Sequence, residues 1–77
     1  MRKNTNYTLL DTRGLPPPEP LEHVLEAICV LPPGETLKML IDREPFPLYD
    51  ILQSNQMAYS TSMAAESHYE ILIWHAN

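Results

Sequence analysis

Cysteine is nearly missing from this 77-residue chain, where Cys29 stands alone. One thiol cannot close an internal disulfide, and no His or Cys set has the spacing of a structural zinc site, so both common staples of small domains are excluded. A domain this small hides only ~60% of its unfolded surface, and its apolar core must suffice alone or be shared with a partner. Basic residues are scarce as well, five Lys and Arg against ten Asp and Glu, for a net charge of −5. That balance repels a phosphate backbone and argues against nucleic acid as a partner. No apolar run approaches the ~20 residues that a membrane helix needs. Met1-Arg2-Lys3 leads into Asn4, Thr5 and Asn6, not into the apolar stretch of a signal peptide. With a lone cysteine, which fits a reducing compartment, we expect a soluble cytoplasmic protein with no membrane partner. The glycines, Gly14 and Gly34, make no glycine-rich phosphate loop. No Ser/His/Asp or Cys/His set and no close acid pair stands out, so no catalytic residue is assigned.

Proline is what the chain has in abundance, eight residues gathered at element boundaries and not in a low-complexity tract. We expect one domain over 1–77, with 1–6 as a disordered tail. Residues 7–10 read as a strand, stopped by Asp11-Thr12-Arg13-Gly14 and by Pro16-Pro17-Pro18, which cannot continue a central strand. Behind Pro18 and Pro20, Leu21, Val24, Leu25 and Ile28 recur at i, i+3, i+4 and i+7 and share one helical face, with Glu19, Glu22, His23 and Glu26 opposite. Leu31-Pro32-Pro33-Gly34 turns the chain into an alternating strand, Thr36–Ile41. Pro45-Phe46-Pro47 admits a short second helix, in which Leu48, Ile51 and Leu52 share a face and Asn55 closes the end. Residues 57–63 and His68–His75 alternate as strands around a turn at 64–67. The order βαβαββ predicts an α/β two-layer sandwich. A parallel pair and a terminal hairpin make a mixed four-stranded sheet with both helices on one face.

Two surfaces follow from that topology. Parallel strands one and two both end in charged segments, and ligands of open α/β sheets favour the carboxyl ends of strands. Asp11, Arg13, Asp42 and Arg43 gather at this pole, where the two helix starts add Pro17, Glu19 and Tyr49. Pro16, Pro17, Pro18 and Pro20 have no N–H to offer an anion, which leaves that task to Arg13 and Arg43. Against a binding role, Asp11 and Asp42 can simply cap loops and pair with Arg13 and Arg43. The second surface is the open sheet face. If Leu37, Met39, Ile41, Tyr69, Ile71 and Ile73 face the helices, then Leu40, Leu72 and Trp74 form an association patch, with Trp74 as its anchor. Cys29 falls in the last turn of helix one beside the apolar stripe. The helix dipole opposes negative charge there, so it is expected to pack at the core or its boundary. Glu19, Glu22, His23 and Glu26 are read as a solvated face, and His68 and His75 as strand-end polar residues.

Residues 10–20, Leu10-Asp11-Thr12-Arg13-Gly14-Leu15-Pro16-Pro17-Pro18-Glu19-Pro20, followed by Leu31-Pro32-Pro33-Gly34-Glu35, resemble the opening of the TusA/SirA family of sulfur carriers. In that family a leucine-aspartate strand end and a Gly-Leu turn precede a Cys-Pro-x-Pro motif at the mouth of helix one. Pro18-Glu19-Pro20 matches Pro-x-Pro, and Pro17 stands where the family carries its persulfide on cysteine. With Asp42-Arg43-Glu44-Pro45 and Pro47-Leu48-Tyr49, residues 9–75 are still more similar to an uncharacterised TusA-related family of bacterial domains that lacks this cysteine. The resemblance implies the same βαβαββ sandwich. It also implies a redox, metal or respiratory setting, because such domains are often joined to, or encoded near, hemerythrin-like and other redox proteins. We therefore expect a non-catalytic accessory or interaction domain, without cofactor or bound metal, that binds a protein partner or small ligand, or forms a homodimer through its open sheet face. Two alternatives are a degenerate sulfur carrier or sulfurtransferase using Cys29, and a metal-handling protein using the Glu/His face of helix one.

Overall fold

A computed structural model describes residues 7–65 and 67–76. The expected tail, 1–6, and residue 66 of the expected turn lie outside them. The elements are β1 (Tyr7–Asp11), α1 (Glu19–Cys29), β2 (Thr36–Ile41), α2 (Phe46–Ser54), β3 (Met57–Ala65) and β4 (His68–His75). The sheet order is β1-β2-β4-β3, with β1 parallel to β2 and the other pairs antiparallel. This is the expected α/β sandwich. β1 reaches one residue further than its sequence pattern, because Asp11 still pairs with Leu40. β3 runs on to Ala65 through a register shift between Met63 and Ala65, so part of the expected turn is strand.

The period-two pattern of β2 sets the layers. Leu37, Met39 and Ile41 are buried and lie opposite Ile73, Ile71 and Tyr69 of β4. Val24 of α1 and Leu48 and Leu52 of α2 complete one apolar core on this face, so both helices cover the same side. Each helix begins with proline in its first turn, where the missing N–H interrupts no helical hydrogen bond. Neither has a side-chain N-cap. α2 ends at Asn55, whose side-chain amide donates to the Ile51 carbonyl at 2.8 Å, and Gln56 then turns the chain at φ 60°. At the far end of the sheet, His75 Nε2 lies 2.8 Å from the Leu31 carbonyl. A carbonyl only accepts, so this nitrogen carries the proton, and β4 is fastened to the loop behind α1.

Candidate functional site

The parallel pair determines where a site can form. β1 and β2 end at one pole, and the chain leaves each strand through a proline-rich loop into a helix that starts there. Between these two loops lies a cleft of about 600 Å³. Pro16, Pro17, Pro18, Pro20, Pro45 and Pro47 wall it, which is six of the eight prolines in the chain. Met39, Ile41 and Leu48 form a buried apolar floor, with half-buried Leu15 and Leu21 beside them. Asp42, Arg43 and Glu44 contribute the charges of the lining.

The rim is held by hydrogen bonds between the strand ends. Thr12 is buried, and both its backbone N–H and its hydroxyl donate to the Leu40 carbonyl, at 2.8 and 2.6 Å. The Gly14 N–H donates to Asp42 Oδ2 at 2.7 Å, joining one loop to the other. Gly14 has φ 82°, a conformation that side-chain-bearing residues adopt only with strain. The helix starts offer an anion little. Pro20 and Pro47 lack an N–H, while the N–H groups of Glu19, Glu22, Phe46 and Leu48 donate to the carbonyls of Pro16, Pro18, Glu44 and Pro45. The wall prolines themselves have no N–H to donate into the cleft.

Of the residues expected at this pole, Pro17, Asp42 and Arg43 line the cleft, and Asp11, Arg13, Glu19 and Tyr49 do not. Asp11 and Arg13 pair with each other at the end of β1, Nε to Oδ1 at 2.9 Å and Nη2 to Oδ2 at 2.8 Å. The Arg13 side chain and backbone N–H together hold the Asp11 carboxyl down at about 2. The other expected pair, Asp42 with Arg43, gives way to the Gly14 contact, because the N–H of a tight turn presents a fixed donor to Asp42. Glu19 is exposed at the start of α1. Tyr49 points instead to β3, where its ring stacks on Tyr59 at 4.4 Å between centroids. Its hydroxyl donates to Glu44 Oε2 at 2.9 Å and accepts from Thr61 Oγ1 at 2.7 Å, since a carboxylate has no proton to give. Burial pushes the Tyr49 phenol up, Thr61 works against that, and Glu44 adds to the rise.

Cys29 is exposed and lies outside the core, beside Leu25, Ile28 and Met57, which corrects the expectation of core packing. The last turn of α1 presents Leu25 and Ile28 inward and leaves Cys29 outside, at the end of the helix away from the proline-walled cleft. Among the described residues, no three His, Cys, Asp or Glu side chains gather closely enough to hold a metal ion, and this includes the Glu/His face of α1. Among the described residues, no helix is long and apolar enough to cross a membrane. The sequence pattern marks Pro45 and Pro47 as a helix start and Met39, Ile41 and Leu48 as inward-facing, but does not show them as wall and floor of one cleft. The signal was a second proline-rich loop after a second parallel strand, which topology brings opposite the first.

On the opposite side of the sheet, the register sets Leu9, Lys38, Leu72 and Ser60 in one row across the strands and Asp11, Leu40, Glu70 and Ser62 in the next. Trp74 stands one row further along β4, opposite Ala58. Leu40, Leu72 and Trp74 thus share the face that no helix covers.

A family model described as an uncharacterized conserved protein (DUF2249) matches residues 9–75. No curated protein and no solved structure matches the chain.

Proposed function

The chain belongs to the DUF2249 family of uncharacterized conserved proteins, and we propose that it is a non-catalytic binding domain of TusA-like fold whose proline-walled cleft is an apolar ligand pocket. The observation that carries this reading is the proline wall. In the sulfur carriers that the sequence resembles, the mouth of helix one presents a cysteine, and here that position is Pro17, on the lining of the cleft. A cleft of about 600 Å³ falls within the range of small-molecule sites, which are mostly apolar with a few oriented polar groups. Proline rings offer rigid apolar walls, and the scarcity of N–H donors disfavours phosphate, sulfate or carboxylate ligands. Asp42 and Glu44 outnumber Arg43 on the lining. The ligand class that fits is a compact ring or branched apolar body bearing a neutral or cationic donor.

Two probes with the same ring and opposite charge test this reading. Phenethylamine and hydrocinnamate are titrated into the isotopically labelled protein and followed by NMR. Phenethylamine should move the resonances of Gly14, Leu21, Asp42 and Leu48 and bind about tenfold more tightly than hydrocinnamate, a difference of ~1.4 kcal/mol. Leu15→Asn, which removes apolar surface from the lining without adding charge, should weaken it. Shifts that map elsewhere, or a preference for the carboxylate, would refute the pocket as described.

A further inference from the structure

Among the described residues, the charged side chains of the open sheet face cancel one another, although the molecule as a whole is acidic. Asp11, Arg13, Lys38 and Glu70 balance one another there, while the remaining described charges are seven carboxylates against Arg43 alone. Three of those carboxylates, Glu19, Glu22 and Glu26, lie on α1, on the other side of the sheet. Around the balanced charges, Tyr7, Leu9, Leu40, Leu72 and Trp74 give the face its apolar area, beside Ser60, Ser62 and His68. Tyr7 and Leu9 on the edge strand β1 are 49% and 61% exposed, and Trp74 is 36% exposed. Lys38 is laid across this surface, its Nζ 4.8 Å from the centroid of the Tyr7 ring and 3.6 Å from Glu70 Oε2. The relief is uneven as well. β4 raises Leu72 and Trp74, while the adjoining open-face residues of β3, Ala58, Ser60 and Ser62, are all small and form a low shelf beside them.

We propose that this face is where a second copy of the chain docks, in a two-fold, sheet-to-sheet dimer. An isologous contact must be complementary to itself, and this face is so in both respects that matter. Lys38 and Glu70 lie on the central strands β2 and β4, so stacking two faces brings the lysine of each copy toward the glutamate of the other without net repulsion. The raised Trp74 of one copy has the low shelf of the other to rest on. Approach through α1 would instead bring Glu19, Glu22 and Glu26 of the two copies together. The inference does not depend on the cleft, which opens on the end of the sandwich and stays free in such a dimer.

Charge variants test the contact by sedimentation velocity. The parent chain should show concentration-dependent dimer, with a dissociation constant on the order of 10–100 µM for a face of this modest size. Lys38→Glu gives each copy a net-negative face and Glu70→Lys a net-positive one, so either variant alone should sediment as monomer. An equimolar mixture of the two should recover dimer, because one face then complements the other. Circular dichroism checks that both variants fold. If either does not, Leu9→Glu, at an exposed position on the edge strand, takes its place and should weaken dimerisation at least about tenfold. A parent chain that is monomeric up to about 500 µM overturns the proposal, as do single variants that dimerise like the parent or a mixture that stays monomeric.

Discussion

Residues at the pole divide into those that hold the scaffold and those that face the cleft, and hydrogen bonding separates them. Asp11 and Arg13 are the clearest case of the first kind. Both are about half-exposed, so the pair lowers the Asp11 pKa without deep burial. The sign follows from the direction of that shift. A carboxyl at about 2 in the folded chain, against the usual 3.8, contributes stability above pH ~4 and loses it as pH falls toward 2. The expected result of a carbon-detected NMR titration is an Asp11 midpoint near 2, rising toward the ordinary value in Arg13→Ala. A midpoint that ignores Arg13→Ala would mean that the guanidinium does not hold the carboxyl. Thr12 belongs to the same group of residues, since its hydroxyl and N–H share one carbonyl and join β1 to β2 at the mouth of the cleft.

At the level of elements, α1 has two chemically different ends, one at the cleft and the other beside Cys29. Pro17 lies just ahead of the helix start and on the cleft lining, where the dipole still favours negative charge although the first N–H groups are already bonded, and Cys29 lies at the opposite end of the helix. Pro17→Cys in a Cys29→Ala background should therefore fold and alkylate faster at neutral pH than Cys29 in the parent chain, as followed by intact mass. Equal rates would show that the helix start is not what activates a thiol there. The elements themselves were legible in the sequence. Alternation fixed β2 and β4 to the residue, and the 3.6-residue stripe found α1, because one-sided burial writes a period into the chain. Residues 10–20 also suggested that the pole matters. Side-chain direction was legible on β2 and β4, where Leu37, Met39, Ile41, Ile71 and Ile73 face the helices as the alternation predicts, but not at the pole. Tyr49 is one residue from Leu48 on α2, and only three-dimensional packing sends Leu48 into the cleft and Tyr49 onto Tyr59. Asp42 reaches Gly14 across 28 positions of sequence, and no local pattern encodes that contact.

For the molecule as a whole, the margin of stability is narrow. Seventy-seven residues correspond to a folding free energy on the order of 4–12 kcal/mol. The core rests on few large side chains, among them Leu37, Met39, Leu48, Leu52, Ile71 and Ile73, all fully buried. Leu52 touches the core without lining the cleft. Leu52→Ala should cost ~2–5 kcal/mol and lower Tm by roughly 10–30 °C, measured by calorimetry. Val30→Ser, at an exposed position just past α1, should stay within about 0.5 kcal/mol of the parent. A small loss at Leu52 would indicate a core that collapses around the cavity instead of keeping its shape.

The six prolines around the cleft bear on selectivity as well as on polarity. Ring closure fixes φ at each of them, so the walls cannot spread or fold inward to follow a guest. In the binding role proposed for the cleft, a mouth with such stiff jambs would discriminate by girth, in the manner of a gauge. Guests one branch too broad should be turned away and slimmer ones should rattle, so that affinity across a homologous series passes through a sharp maximum where a pocket with yielding walls would give a plateau.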